Sequence, residues 1–182
     1  LTGDFNISDV GTSSGTLSLS DSGVINVTNV YIGKNGGTTG IFNQTGGTFS
    51  SASFISIGRF FSSTGTVNAS AGSMTSSTVI VVGEEGTGTL NVSGASTVTA
   101  SGDALYVGGG AGTFGGTGFL NLNGGTVITK KLVGGVIGNS NVNFNGGLLK
   151  AGTGATSPFL SNFDSAVIQS GGARIDSNGQ SL

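Results

Sequence analysis

Fourteen of the 182 side chains carry formal charge, and any acid, base or metal chemistry has to start from them. The acids are Asp4, Asp9, Asp21, Asp103, Asp164, Asp176 and the pair Glu84-Glu85; the bases are Lys34, Arg59, Lys130, Lys131, Lys150 and Arg174. Cleaving a glycosidic bond or holding calcium requires carboxylates that converge, usually with a cation beside them. The aspartates are scattered along the chain, mostly beside Gly, Ser or Asn, and no carboxylate pair recurs at a fixed step. They read as surface turn residues. The absence of cysteine removes disulfides and thiolate metal sites, and the absence of histidine removes the commonest metal ligand and the usual base near neutral pH. No catalytic, metal or cofactor residue is assigned. A net charge of −2 leaves no basic surface for phosphates, and Lys130-Lys131 is too short a run to hold a polyanion. Nucleic acid is therefore not an expected partner.

Other motifs fare no better as chemistry. The glycine run from 108 to 118, "GGGAGTFGGTG", has none of the aspartates that a calcium-binding nonapeptide repeat places at fixed offsets, and no glycine-rich stretch ends in Gly-Lys-Ser/Thr. Five Asn-x-Ser/Thr triplets occur, at Asn6, Asn26, Asn43, Asn68 and Asn91. Asn43, Asn68 and Asn91 occupy a position that Asn121 and Asn143 also fill without a triplet, so a structural column of outward Asn side chains, bonded to one another, explains them better than glycans. Tyr31 and Tyr106 are the only tyrosines, tryptophan is absent, and both tyrosines are expected outward. Phe60-Phe61 would form an exposed apolar knob or a turn folded back.

Composition permits folding. Glycine numbers 37 and Ser, Thr and Asn together 63, yet Leu, Ile, Val and Phe number 50, more than a disordered chain carries. No apolar run approaches the roughly 18 residues of a spanning helix, and no basic-then-apolar leader opens the chain, so no membrane contact is expected of this segment. Beginning at Leu1, it reads as a mature product or an excerpt.

The organising signal is an internal repeat. Ile32-Gly33, Ile57-Gly58, Val82-Gly83 and Val107-Gly108 stand 25 residues apart, and Leu132-Val133-Gly134-Gly135 follows at 26 or 27. Each unit carries three short strand-like segments divided by Gly, Ser, Thr and Asn. The first comprises Leu17-Ser18-Leu19, Val67-Asn68-Ala69, Leu90-Asn91-Val92, Leu120-Asn121-Leu122 and Val142-Asn143-Phe144. A second centres on Val24, Phe49, Met74, Val98, Val127 and Leu149. The third is Val30-Tyr31-Ile32, Ile55-Ser56-Ile57, Ile80-Val81-Val82 and Leu105-Tyr106-Val107.

Strands this short bury too little by themselves, but stacked on their copies they share one core. The pattern predicts an all-β parallel β-helix, three short strands to each coil of about 25 residues, with six to seven coils in a rod about 30 Å long at ~4.8 Å per coil. It is read as a single domain, 1–182, with units at 12–37, 38–62, 63–86, 87–116 and 117–138, and 139–182 as last coil and terminal segment. The Gly-Gly pairs in "TGGTF" (45–49), "NGGTV" (123–127) and "NGGLL" (145–149) mark one recurring corner, where glycine turns the chain without a Cβ penalty. Residues 108–118 should form a loop leaving the rod. Glu84-Glu85 should lie at a corner above Lys34 and Arg59, giving a solvated ladder of charge.

The phrases "GTLNVSG", "GTGFLNLNGGTV" and "VNFNGGLLKAG" resemble those of the autotransporter-associated β-strand repeat proteins. So does "PFLSNFDSAVIQSGGARIDSNG" (158–179), through Phe159, Leu160, Ala166, Val167, Gly171, Gly172, Ala173, Ile175, Asp176, Asn178 and Gly179. That resemblance implies a right-handed β-helix exported across the inner membrane and presented at, or released from, a bacterial surface.

The function expected is that of a non-enzymatic extracellular scaffold, structural or adhesive, such as a stalk or passenger segment. Surface glycans or host receptors are open as partners. The alternatives are a subunit stacking head to tail into a filament, unless residues 159–182 cap the end, and a polysaccharide lyase- or hydrolase-like β-helix enzyme.

Overall fold

The computed structural model describes residues 3–110 and 115–182. Seven coils are stacked, and every strand pairing among the described residues is parallel. Coil 1 contains β1 (Asp4–Ile7), β2 (Ser14–Leu19) and β3 (Val24–Val27). Coil 2 contains β4 (Asn29–Ile32) and β5 (Thr39–Ser51), coil 3 β6 (Ile55–Ile57) and β7 (Thr64–Ser76), and coil 4 β8 (Ile80–Val82) and β9 (Thr87–Ala100). In coil 5 are β10 (Leu105–Val107) and β11 (Thr117–Thr129), and in coil 6 β12 (Leu132–Gly134), β13 (Asn139–Phe144) and β14 (Leu148–Ala151). Coil 7 closes with β15 (Leu160–Ser161), β16 (Ser165–Ile168) and β17 (Arg174–Asp176).

The three expected segments per coil are present. In coils 2 to 5 the first two run on as one strand of 13 or 14 residues, bent by register shifts where the Gly-Gly corner falls. The third segments form their own seven-stranded sheet, with Ile7, Ile32, Ile57, Val82, Val107 and Gly134 in a single column.

Alternation explains the core. In β9 the pattern Leu90, Val92, Val98, Ala100 is buried while Asn91, Thr97 and Thr99 between them are half-exposed, because side chains two apart share a face. Each coil adds one layer to the same columns, for example Phe42, Val67, Leu90, Leu120 and Val142. The second-segment column differs from expectation at its start. Ile25, not Val24, aligns with Phe49, and Val24 is 64% exposed, because coil 1 pairs one residue out of step with the apolar residue first chosen.

Length variation is confined to corners. Neighbouring positions on the Asn43 column stand 25, 23, 30 and 22 residues apart, yet the strands remain in register. The 30-residue step spans 108–118, where a loop is expected; Ala111–Phe114 lie outside the described residues, and of the glycines beside them Gly110 and Gly116 are buried and Gly115 is exposed.

One corner explains why glycine cannot be replaced. Where the third strand turns into the next, Gly33, Gly58, Gly83 and Gly108 have φ of 70–76°. Each sits against the glycine that opens the long strand, and a Cβ on Gly88 would collide with the backbone at Gly83 and Ile57. Two main chains therefore meet without side chains between them.

Segment 159–182 was expected as a possible cap. It instead builds coil 7 on the pattern of its predecessors, with Ile168 66% and Ile175 50% exposed. Its strands continue the stack by parallel pairing with β12, β13 and β14.

Gly88→Ala should cost about 3 kcal/mol or more in urea denaturation because backbone must move. Gly11→Ala, at φ +61° with nothing near its Cβ, should cost only ~1–2 kcal/mol of left-handed strain.

Candidate functional site

Three surface features gather polar side chains, two built by vertical repetition and the third a shallow depression. The first is the Asn column. Asn68 donates from Nδ2 to Asn43 Oδ1, Asn91 to Asn68, Asn121 to Asn91 and Asn143 to Asn121, every bond at 2.8 Å. An Asn side chain carries both donor and acceptor, so one residue type can continue such a ladder indefinitely. Asn68 and Asn91 commit their amide nitrogens to it and Asn43 accepts at its foot, as the repeat pattern predicts. Below the ladder Ser18 occupies the column, and above it Val167 ends it.

The second feature is a charged corner. Lys34, Arg59 and Glu84 follow the third-strand glycines, and their backbone N–H groups donate down the stack to the carbonyls of Ser8, Gly33 and Gly58 respectively. Of the expected ladder only one rung forms, with Arg59 Nε 4.0 Å from Glu84 and making no hydrogen bond; Lys34 pairs instead with Asp4 at 3.3 Å and Asp9 at 3.7 Å. Two aspartates that are separated in sequence thus converge on one lysine. Glu84 also accepts from the Ser56 hydroxyl at 2.7 Å. Tyr31 does face away from the core, but it is only 6% exposed, since Lys34 and Arg59 lie over its ring and Phe54 packs edge-on at 5.3 Å. Arg59 also stacks on Phe60, leaving Phe61, at 80% exposure, as the apolar knob.

The third feature is a shallow depression lined by Asp103, Tyr106, Lys131, Val133, Val136, Pro158, Ser161 and Asn162. It places an acid, a phenol and an amine together. The Tyr106 hydroxyl donates to Asp103 at 2.9 Å, and burial together with that carboxylate pushes the phenol up to about 12. A phenol so raised is protonated at neutral pH and is a poor base there.

Elsewhere the acids serve locally. Asp164 accepts from the backbone N–H and hydroxyl of Ser140 at 2.7 and 2.8 Å, which hold its carboxyl below the usual range. Asp176 accepts from the Asn178 N–H and pairs with Lys150 at 3.4 Å, and is lowered for both reasons. Asp4 is lowered by the Asn29 amide first, against an opposing desolvation, and then by Lys34 and Arg59. Asp21 sits in a turn at φ 54°. Among the described residues, no three of His, Cys, Asp and Glu gather where they could hold a metal ion, and no helix is long and apolar enough to cross a membrane.

The structure also uses residues that the repeat pattern did not single out. Ser51 Oγ donates to Thr28 O and Phe54 O, Ser76 Oγ to Ser53 O and Val79 O, and Thr129 Oγ1 to Lys131 O, all at 2.7–3.0 Å. These buried hydroxyls fasten the corner between second and third segments. Gln44 is wholly buried in an otherwise apolar column, donating to Ser73 O at 2.9 Å. A small hydroxyl at an apolar position, recurring at the repeat step, was the available signal.

Comparison with known proteins finds no family model, no curated protein and no solved structure that matches the chain.

Asn91→Ala removes two ladder bonds and strands a donor and an acceptor in half-buried surroundings, so it should cost about 2 kcal/mol in chemical denaturation; Asn143→Ala, which removes one bond at the ladder's end, should cost about 1. Acid gives a second check. Carboxyls held low in the folded state contribute stability that is present above their ordinary pKa of about 4 and lost as pH falls through the folded value. The melting temperature should thus hold from neutral to about pH 5 and drop below about pH 4, with Asp164→Asn flattening part of the drop.

Proposed function

We propose that this chain is a segment of a rigid, non-enzymatic scaffold, a stalk or passenger-type rod presented at or released from a bacterial surface. The observation that carries this reading is the uninterrupted stack. Each coil hydrogen-bonds to the next on every face, and one apolar interior runs the length of the rod. Stiffness follows, because bending the rod would open backbone bonds and core contacts together. Outside the core the columns are Asn, Ser and Thr with few charges, which suits a surface that stays hydrated and resists nonspecific binding. The autotransporter-type wording of residues 158–179 supports the extracellular placement, and the lack of cysteine makes the fold independent of redox conditions.

Chemistry is the competing reading, and the Asp103, Tyr106 and Lys131 depression is where it would occur. Incubation with pectin, alginate and glucan polymers, with and without calcium, is expected to release no new reducing or unsaturated ends. Release that disappears in a Tyr106→Phe variant would overturn the scaffold reading.

A further inference from the structure

Two tyrosines stand in one outward column of the seven-stranded sheet, Tyr31 in coil 2 and Tyr106 in coil 5. Only Tyr31 is closed over, by Phe54, Lys34 and Arg59. Backbone bonds show which residues hold the covering places around Tyr106. Val30 N donates to Phe54 O at 3.0 Å as Leu105 N donates to Lys131 O at 2.9 Å, and Gly58 N donates to Ile32 O as Gly135 N does to Val107 O, both at 2.8 Å. Lys131 therefore takes the place of Phe54, Val136 that of Arg59, and Gly109, three residues after Tyr106, that of Lys34. Among the described residues no cation or second ring lies against the Tyr106 ring. Where the cover is lost lies the depression already described, of about 300 Å³.

We propose that this depression holds one carboxylate-bearing sugar residue of an acidic polysaccharide. The proposal deepens the surface-rod reading above and rests on it for the setting in which such a polymer is met. A sugar ring is apolar on its C–H face and polar at its rim, and sites for ligands of that kind combine an apolar lining with a few placed polar groups. Here the Tyr106 ring, Val133 and Pro158 supply the apolar part. Lys131, unlike Lys34, Arg59 and Lys150, makes no ion pair among the described residues, so its ammonium is available to a carboxylate. Asp103 accepts the Tyr106 hydroxyl on Oδ2, which leaves Oδ1, with Ser161 and Asn162, for the hydroxyl rim. A neutral sugar would leave Lys131 unused. An acidic peptide would bring a run of carboxylates to Asp103 and no hydroxyls for it to accept. Asp103 is also the only carboxylate lining the depression, whereas glycosidic cleavage ordinarily uses two, so the site is one of binding. The backbone bonds from Leu105 to Lys131 and from Leu132 to Phe159, at 2.9 and 2.8 Å, fix coils 5, 6 and 7 against one another and hold these groups in place.

Because the chain has only two tyrosines, ring-labelled tyrosine gives two sets of NMR signals, and the covered Tyr31 serves as an internal control. At least one of a galacturonate tetramer and a guluronate tetramer should move the Tyr106 signals and leave those of Tyr31 in place. Lys131→Met and Tyr106→Leu should each weaken binding at least about tenfold. Lys130→Met removes the same charge one residue away, outside the depression, and should leave the affinity unchanged. Lys131 is half-exposed, so Lys131→Met should keep the parent melting temperature and remain informative if Tyr106→Leu folds poorly. No movement of Tyr106 with either tetramer up to about 20 mM, equal movement with a neutral glucan tetramer or with polyaspartate, or an equal loss in Lys130→Met would overturn the proposal. New chain ends in the same samples would instead overturn the non-enzymatic scaffold reading, and a lack of binding without them leaves the rod untouched.

Discussion

No coil of this protein can exist without a neighbour. A coil contributes about six inward side chains and no closed set of backbone bonds, so its hydrogen-bonding groups and its apolar surface are both satisfied by the coil above and the coil below. Everything else in the molecule follows from that dependence. Columns must hold their residue class because a slip of one residue would turn the interior outward. The strands stay in register while corner lengths vary freely, as the 22- to 30-residue steps along the Asn ladder illustrate.

Two kinds of polar contact reinforce the same register. The Asn43 to Asn143 ladder does so on the outside, where each amide can meet only its own counterpart. On the inside, Ser51, Ser76 and Thr129 bond the corner carbonyls that a purely apolar column would leave less well fixed. The ion-pair side chains of the charged corner keep 15–40% of their surface exposed, so solvent screens them in part. The corner's physical role is to cover Tyr31 and the outward side of the seven-stranded sheet.

Much of this architecture was legible in the sequence because a 25-residue period and a two-residue alternation are both local patterns. Ile32, Ile57, Val82 and Val107 could be placed in one column before any coordinates, and so could the bonded Asn column. What escaped reading depends on contacts between coils or on local phase. Choosing Val24 over Ile25 was a one-residue error in a coil whose two apolar neighbours look alike from sequence. The burial of Tyr31 requires Arg59, a full coil away, to lie over its ring. Convergence of Asp4 and Asp9 on Lys34 likewise crosses a coil boundary.

The stacked-coil account is tested most directly by distances along one column. Val24, Thr126, Leu148 and Arg174 share a column in coils 1, 5, 6 and 7. Spin labels on Val24 and each of the other three, diluted into unlabelled protein, should lie about 19, 24 and 29 Å apart by pulsed electron resonance, one strand spacing per coil. Separations that fail to grow in equal steps with coil number would contradict the account.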